Sequence, residues 1–239
     1  MTQDVLGTAL LDYYRGIRSE KLWIHNTYGR KEEMPVSTYF REPEDWPVLE
    51  QDAAGYCYGS VLDIGAGAGT HALYLQEKGN SVTALDLSPG CVQVMRSRGV
   101  REAVQGDIFQ YSGRRYDTLL LLMNGIGLCG SLDGLRTFLA HARGLLQTGG
   151  QLLFDSSDVA YLYQQRAKPA NRYYGEIEYR YAYRDLRTEP FTWLYIDRHT
   201  LQKEAAAAGW DMSLLGVDRY GQYLVRLTPA PGETGEENG

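Results

Sequence analysis

Residues 61–73 read VLDIGAGAGTHAL, and no other stretch restricts the fold as strongly. A short apolar run, Val61 to Ile64, carries one aspartate, Asp63. Glycines then follow at every second position, Gly65, Gly67 and Gly69, before helix-forming residues begin. Glycine gives the backbone access to positive φ and lets a ligand approach where a Cβ would block it. The pattern predicts a strand, a tight turn at its carboxyl end and a helix, the opening of a βαβ unit that holds a nucleotide-like ligand.

The chain continues in the same alternation. Strands are predicted at 60–64, 81–86, 102–105, 117–123 and 151–155, and helices at 69–78, 89–97 and 132–146. In the last helix Leu132, Leu135, Leu139, Ala142 and Leu146 share one face, while Asp133, Arg136, His141 and Arg143 take the other. Strands alternating with helices imply a parallel sheet covered on both faces, and an aliphatic run such as Leu119–Met123 suits its buried centre.

The flanking segments read differently. Residues 3–17 have helical spacing, 18–45 show no period and are interrupted by Pro35 and Pro43, and a short helix is predicted from Trp46 to about Gly55. Residues 1–58 are therefore expected to form a helical, covering segment. A domain at 59–228 follows, then a disordered tail at 229–239 rich in Pro, Gly and Glu. Beyond residue 156 a helix is predicted over 158–167. In 173–184 Ile177, Tyr179, Tyr181 and Tyr183 alternate with charged residues, the period of a strand. With 191–196 this strand is expected to form an antiparallel hairpin insertion over about 172–196. A helix at 199–208 and strands at 210–217 and 220–228 complete the chain.

The formal net charge of the 239 residues is -6, and no Lys/Arg cluster is present, so no nucleic-acid partner is expected. Cys57, Cys91 and Cys129 are far apart and show no CxxC spacing, which suits reduced thiols in a cytoplasmic protein. The first residues, MTQDVLGTALLDYY, lack the basic start and apolar core of a secretory signal, and Leu119–Met123 is too short to span a bilayer. No membrane association is expected.

The glycine spacing is G-x-G-x-G, with Thr70 where the dinucleotide fingerprint G-x-G-x-x-G places its third glycine, and no Gly-Lys-Ser/Thr follows. Asp63, two residues before the first glycine, suits a cationic ligand and repels a pyrophosphate. Asp63-Ile64-Gly65-Ala66-Gly67-Ala68-Gly69 resembles the first motif of class I S-adenosylmethionine (SAM)-dependent methyltransferases. The likeness continues in order. Val82 to Asp86 resembles the second strand and its terminal acid, and Gly106-Asp107-Ile108 the loop after the third. Tyr116 to Leu119 resembles the start of the fourth, Leu145 to Phe154 the Gly-Gly passage into the fifth, and Ala207 to Trp210 the close before the sixth.

The resemblance implies a Rossmann-like three-layer α/β sandwich. Its sheet has seven mostly parallel strands and an antiparallel last strand, and it carries the N-terminal helical cover and the hairpin insertion. The implied activity is transfer of the SAM methyl to an O or N of a small-molecule acceptor. Asp86 would accept from the ribose hydroxyls with Leu87 beside the adenine, and Asp107 and the Ile108 amide would hold the adenine edge. Asp63, Gly65, Ala66 and Gly67 would surround the methionine part. A SAM-binding protein without catalysis and an NAD(P)-dependent oxidoreductase are the competing readings.

Acceptor residues are less explicit. Asn124, after the fourth strand, suits contact with SAM or the acceptor, and equally a turn. His25 is the candidate general base. Tyr39 and Arg41 belong to a segment able to close over the site, with Arg41 pairing the SAM carboxylate or lying on the surface. Asp155 is a candidate to face the acceptor pocket; the alternative, which is favoured, is that Ser156–Asp158 simply cap the next helix. A metal held by Asp155 and Asn124 is disfavoured, and none is expected. For the tyrosine stripe at 179, 181 and 183, packing or a homodimer contact is favoured over capping the acceptor pocket.

Overall fold

A computed structural model describes residues 3–231. In chain order the elements are α1 (Val5–Tyr14), β1 (Leu22–Asn26), β2 (Glu32–Met34), α2 (Val48–Tyr56), β3 (Ser60–Ile64), α3 (Thr70–Glu77), β4 (Ser81–Asp86), α4 (Pro89–Arg98), β5 (Ala103–Gln105) and β6 (Tyr116–Leu121). Then follow α5 (Leu132–Leu145), β7 (Leu146–Ser157), β8 (Glu176–Tyr183), β9 (Leu186–Arg187), β10 (Phe191–Leu194), α6 (Arg198–Ala207), β11 (Trp210–Val217) and β12 (Gln222–Pro229).

Seven strands form the main sheet in the order β11-β12-β7-β6-β3-β4-β5. The β3–β4, β3–β6, β4–β5 and β6–β7 pairs are parallel, and β12 alone runs against both neighbours. This is the Rossmann-like three-layer arrangement expected. Alternation along the strands divides the core. Leu62, Leu119, Leu121, Leu152 and Phe154 pack under α5 and α6, while Val61, Leu120, Leu122 and Leu153 pack under α2, α3 and α4. The strands are apolar on both faces because both faces are covered. Chain order reverses direction between β3 and β6, so a crevice opens beyond their carboxyl ends.

The segment before residue 59 is more than a helical cover. Its β1 and β2 join β8, β9 and β10 in a second, antiparallel sheet of order β10-β8-β1-β2, with β9 folding back on β8. Leu22 and Ile24 alternate into the interior of this sheet, and Ile24 lies opposite Tyr181. The expected 158–167 helix is only a 3₁₀ turn, Ala160–Tyr163. Val159 and Leu162 reach an apolar cluster, but the following Gln-Gln-Arg offers no face to bury, and short helices depend on such burial. The expected pairing of the hairpin is present, with Tyr179 opposite Phe191. Most of the proposed tail, residues 232–239, lies outside the described residues.

The helix α1 crosses α4 where two glycines meet. A Cβ on Gly90 would lie 2.6 Å from the Gly7 carbonyl carbon. Asp4 accepts from the Gly7 amide at 3.0 Å and the Gly90 amide at 2.8 Å, so one carboxylate serves both helix N-termini.

Candidate functional site

The glycine turn after β3 has the conformation its composition demands. Gly65, Gly67 and Gly69 have φ of 71°, 57° and 76°, a region that strains residues with a Cβ. The Gly65 and Ala66 amides donate to the Leu85 carbonyl, which ties the turn to the end of β4. The Gly67 amide donates 2.9 Å to Asp86 Oδ2, and the Ser88 amide 2.8 Å to Asp86 Oδ1. Burial pushes the Asp86 carboxyl up to about 6 against these bonds.

Asp63, one residue before the end of β3, lies on the α2/α3 face of the sheet. Its Oδ2 is buried and has no hydrogen-bond partner among the described residues. Burial raises its carboxyl to about 6, with nearby His71 and the Ala72 amide opposing and Asp86 reinforcing the rise. A buried carboxylate oxygen without a donor is costly, and a bound cationic or hydrogen-bonding group would satisfy it.

The adenine-side candidates gather at the other end of the turn. Leu87 is 70% exposed, a large apolar side chain left uncovered beside Asp86. Leu85, by contrast, is buried beneath, where it meets Gly106. Asp107 caps its own loop, accepting from the Phe109 amide at 3.0 Å, and Ile108 is buried against the core.

Asn124 occupies the left-handed region with φ 56°, and Met123 before it has φ 61°. Two successive non-glycine residues in this region are a strained turn of the kind that functional sites carry. The turn is held from below and above. The Asn124 amide donates to both oxygens of Asp155 at 3.0 Å, and its carbonyl accepts from Trp193 Nε1 at 3.1 Å. Its side-chain oxygen accepts from Ser157 at 3.0 Å. Asp155 is buried and also accepts from Gln222. Burial lifts its carboxyl to about 6, the bonds from Asn124 and Gln222 oppose this, and Glu50 nearby adds to it. The cap expected from Ser156–Asp158 is absent, because only a 3₁₀ turn follows and its N-cap, Val159, makes no side-chain bond; Asp158 accepts from the Ala160 amide at 2.8 Å in a local turn.

Tyr39 lies over the glycine turn. A Cβ on Gly67 would sit 3.1 Å from its ring. Burial holds its hydroxyl protonated, and Tyr181, Cys91, Asp86 and Tyr195 lie within electrostatic reach. Arg41 points elsewhere. It forms a two-oxygen pair with buried Glu50 at 2.9 and 3.0 Å, and Glu50 also meets His71 Nε2 at 3.0 Å. His25 is exposed on β1, opposite Arg180 and on the outer face of the second sheet, so it is not brought to the turn.

Over this crevice closes the aromatic face of the second sheet. Tyr179, Tyr181 and Tyr183 point inward, and Tyr183 reaches Asp12 of α1 at 3.1 Å. A Cβ on Gly127 would overlap the Trp193 indole, which shows how closely β10 docks on the turn after β6. Tyr179 and Tyr183 are thus packed within the chain, while Tyr181 between them is partly exposed. Glu50, Trp193, Tyr195 and Gln222 were not legible as site residues, because each arrives from a segment with no motif of its own.

Comparison with known proteins accords with this arrangement. Residues 61–150 match the family model of a methyltransferase domain. A SAM-dependent methyltransferase from Bacteroides fragilis, solved with S-adenosyl-L-homocysteine, is 39% identical. It superposes with a TM-score of 0.89 over 95% of each chain. The demethylmenaquinone methyltransferase of Tropheryma whipplei is 28% identical over 99 residues, and the match spans only 39% of that protein's length. The CcbJ methyltransferase of Streptomyces caelestis shares the fold, with a TM-score of 0.61 at 16% identity over 81% of this chain and 98% of that one.

Proposed function

The chain belongs to the class I SAM-dependent methyltransferases, and from that premise we propose how its residues hold the cofactor and what they methylate. Asp63, Gly65, Ala66 and Gly67 surround the methionine part of SAM. Asp86 accepts from the ribose hydroxyls, Leu87 covers the adenine, Asp107 and the Ile108 amide meet its edge, and Asn124 borders the reacting end. The observation that carries this reading is the buried, partnerless Oδ2 of Asp63 beside a turn whose glycines leave room for a ligand. A pyrophosphate would bring negative charge against that carboxylate, which disfavours the oxidoreductase alternative.

SAM supplies a methyl group already activated on a sulfonium. The protein's work is therefore alignment of an acceptor and exclusion of water. The strained Met123–Asn124 turn, braced by Asp155 and Trp193, sets one wall of the reaction space. The Tyr39 ring and the aromatic face of the second sheet supply the cover. The acceptor is a small molecule that enters beneath this cover and is methylated at O or N. Calorimetry with SAM and NAD, joined to a labelled-methyl transfer assay over a metabolite panel, tests the reading. Binding of NAD without SAM would overturn it.

A further inference from the structure

The second sheet does more than cover the crevice. Its inward face carries a chain of tyrosine hydroxyls, with Tyr28 to Tyr179 at 3.3 Å and Tyr179 to Tyr195 at 3.2 Å. Around them lie Phe191, 5.0 Å from the Tyr181 ring, and Trp193, 6.4 Å from Phe191. Tyr39, Tyr181, Tyr195, Phe191 and Trp193 are each only partly buried, unlike Tyr183 and Ile177 of the same sheet. This wall continues to the cofactor turn, because Tyr39 lies on Gly67 and within reach of both Tyr181 and Tyr195.

The charge around the wall is one-sided. Tyr195 lies within electrostatic reach of Asp155 and Glu32, and Glu32 and Tyr181 stand opposite Ile24 from its two neighbouring strands. Glu32 hydrogen-bonds Asn26 and forms no ion pair among the described residues. The neighbouring cations are committed or lie at the rim. Arg41 is paired with Glu50, and Arg166, 6.0 Å from the Tyr28 ring, donates to the Leu162 carbonyl on the surface. Burial keeps the tyrosines neutral, with Tyr28 pushed up to about 12 and Tyr179 higher still. Neutral aromatic faces flanked by carboxylates attract positive charge and repel anions.

Resting on the proposed cofactor site, we infer that the methyl acceptor is an amine, held with its nitrogen against the Tyr39, Tyr181 and Tyr195 faces between Asp155 and Glu32. The nitrogen lone pair forms the new N–C bond as the S–C bond breaks, and the electrons of that bond remain on sulfur. The positive charge that passes to nitrogen then faces the rings, and the product ammonium gives its proton to solvent. A carboxylate or phosphate acceptor would meet Asp155 and Glu32, with Arg166 at the rim, by Tyr28, as the nearby cation without an ion pair among the described residues.

The test uses the full chain saturated with S-adenosyl-L-homocysteine. It is titrated with (2-hydroxyethyl)trimethylammonium, a product-like cation, and with its neutral isostere 3,3-dimethylbutan-1-ol. The cation is expected to bind at least about tenfold more tightly, since cation–π contacts favour positive charge. Tyr181→Leu and Tyr195→Leu should each weaken the cation by about 3- to 30-fold, leaving the isostere and homocysteine-cofactor affinities unchanged. Equal binding of the two probes, or binding of neither, overturns the inference while the cofactor site stands. Failure to bind the homocysteine cofactor sinks the underlying reading instead. In a transfer assay, methylation of phenols or carboxylates without methylation of amines also overturns it.

Discussion

His71, in the first turn of α3, meets Glu50 of α2 with 3.0 Å between Nε2 and Oε2. Arg41 completes the group from the preceding segment, so three elements converge on one buried carboxylate behind the glycine turn. Burial pushes the Glu50 carboxyl up, but the bonds and charges of His71 and Arg41 outweigh it and hold the group below the usual carboxylate range.

Glu50→Ala leaves a buried imidazole and a partly buried guanidinium without their acceptor. Breaking such a pair costs roughly 2–4 kcal/mol, toward the lower part of the range because Arg41 is partly exposed. Urea denaturation at neutral pH measures this. Since the folded pKa of Glu50 is depressed, its contribution is present above the unfolded carboxylate value of about 4.5 and is lost as pH falls through the folded one. The wild-type advantage over Glu50→Ala should therefore shrink below about pH 4.5.

Asp63 has the opposite sign. Its folded pKa is raised from 3.8 to about 6, so the favourable contribution exists below the unfolded value and is lost as pH rises through about 6. Asp63→Asn is expected to stabilise the cofactor-free protein by roughly 2 kcal/mol at pH 8 and by much less near pH 4. SAM affinity, by contrast, should rise with pH between about 5 and 7 in the wild type as the carboxylate ionises, and the Asp63→Asn substitution should flatten that rise. Thermal melts and calorimetric titrations over pH distinguish the two effects. A pH-independent wild-type affinity would remove Asp63 from the cofactor site.

Asp86→Ala removes the acceptor proposed for two ribose hydroxyls. Hydrogen bonds to a charged group contribute roughly 1.5–3 kcal/mol, so SAM affinity should fall by about ten- to a hundredfold. Calorimetry on a variant with native circular dichroism provides the measurement.

Gly90→Ala places its Cβ against Gly7 backbone atoms at 2.6 to 2.8 Å, where no side chain can rotate away. The helix α1 must shift off α4, a cost of about 1–3 kcal/mol for forced overpacking. Hydrogen exchange should show α1 amides losing protection ahead of the main sheet.

Trp193→Phe keeps an aromatic ring but deletes the donor to the Asn124 carbonyl. With the strained turn less firmly held, methyl transfer is expected to slow by about tenfold while SAM affinity changes less than about threefold. Steady-state kinetics and calorimetry together check that split.

The main sheet was legible in the sequence because its information is local. Val61–Ile64, the three glycines and Asp86 declare themselves within single strand–turn–helix units, and the aliphatic run at Leu119 announces burial on both faces. The second sheet was only half legible. The alternation in 177–183 revealed β8, but β1 and β2 sit in a segment without period, and β1 acquires strand structure by pairing with residues more than 150 positions away. His25 shows the consequence. Its residue type suited a base, yet register sends it to the outer face beside Arg180.

The sequence by itself determined the glycine turn after β3 and the parallel sheet, because glycine φ preferences and strand burial act over a few residues. Tertiary structure alone decided what surrounds the Asn124 turn and Asp155. Arg41 from the N-terminal segment meets Glu50, Gln222 from the last strand meets Asp155, and Trp193 from the inserted sheet meets Asn124 only when distant segments pack. Long-range pairing leaves no local periodicity to read, so the walls of the acceptor space emerge only from the packed chain.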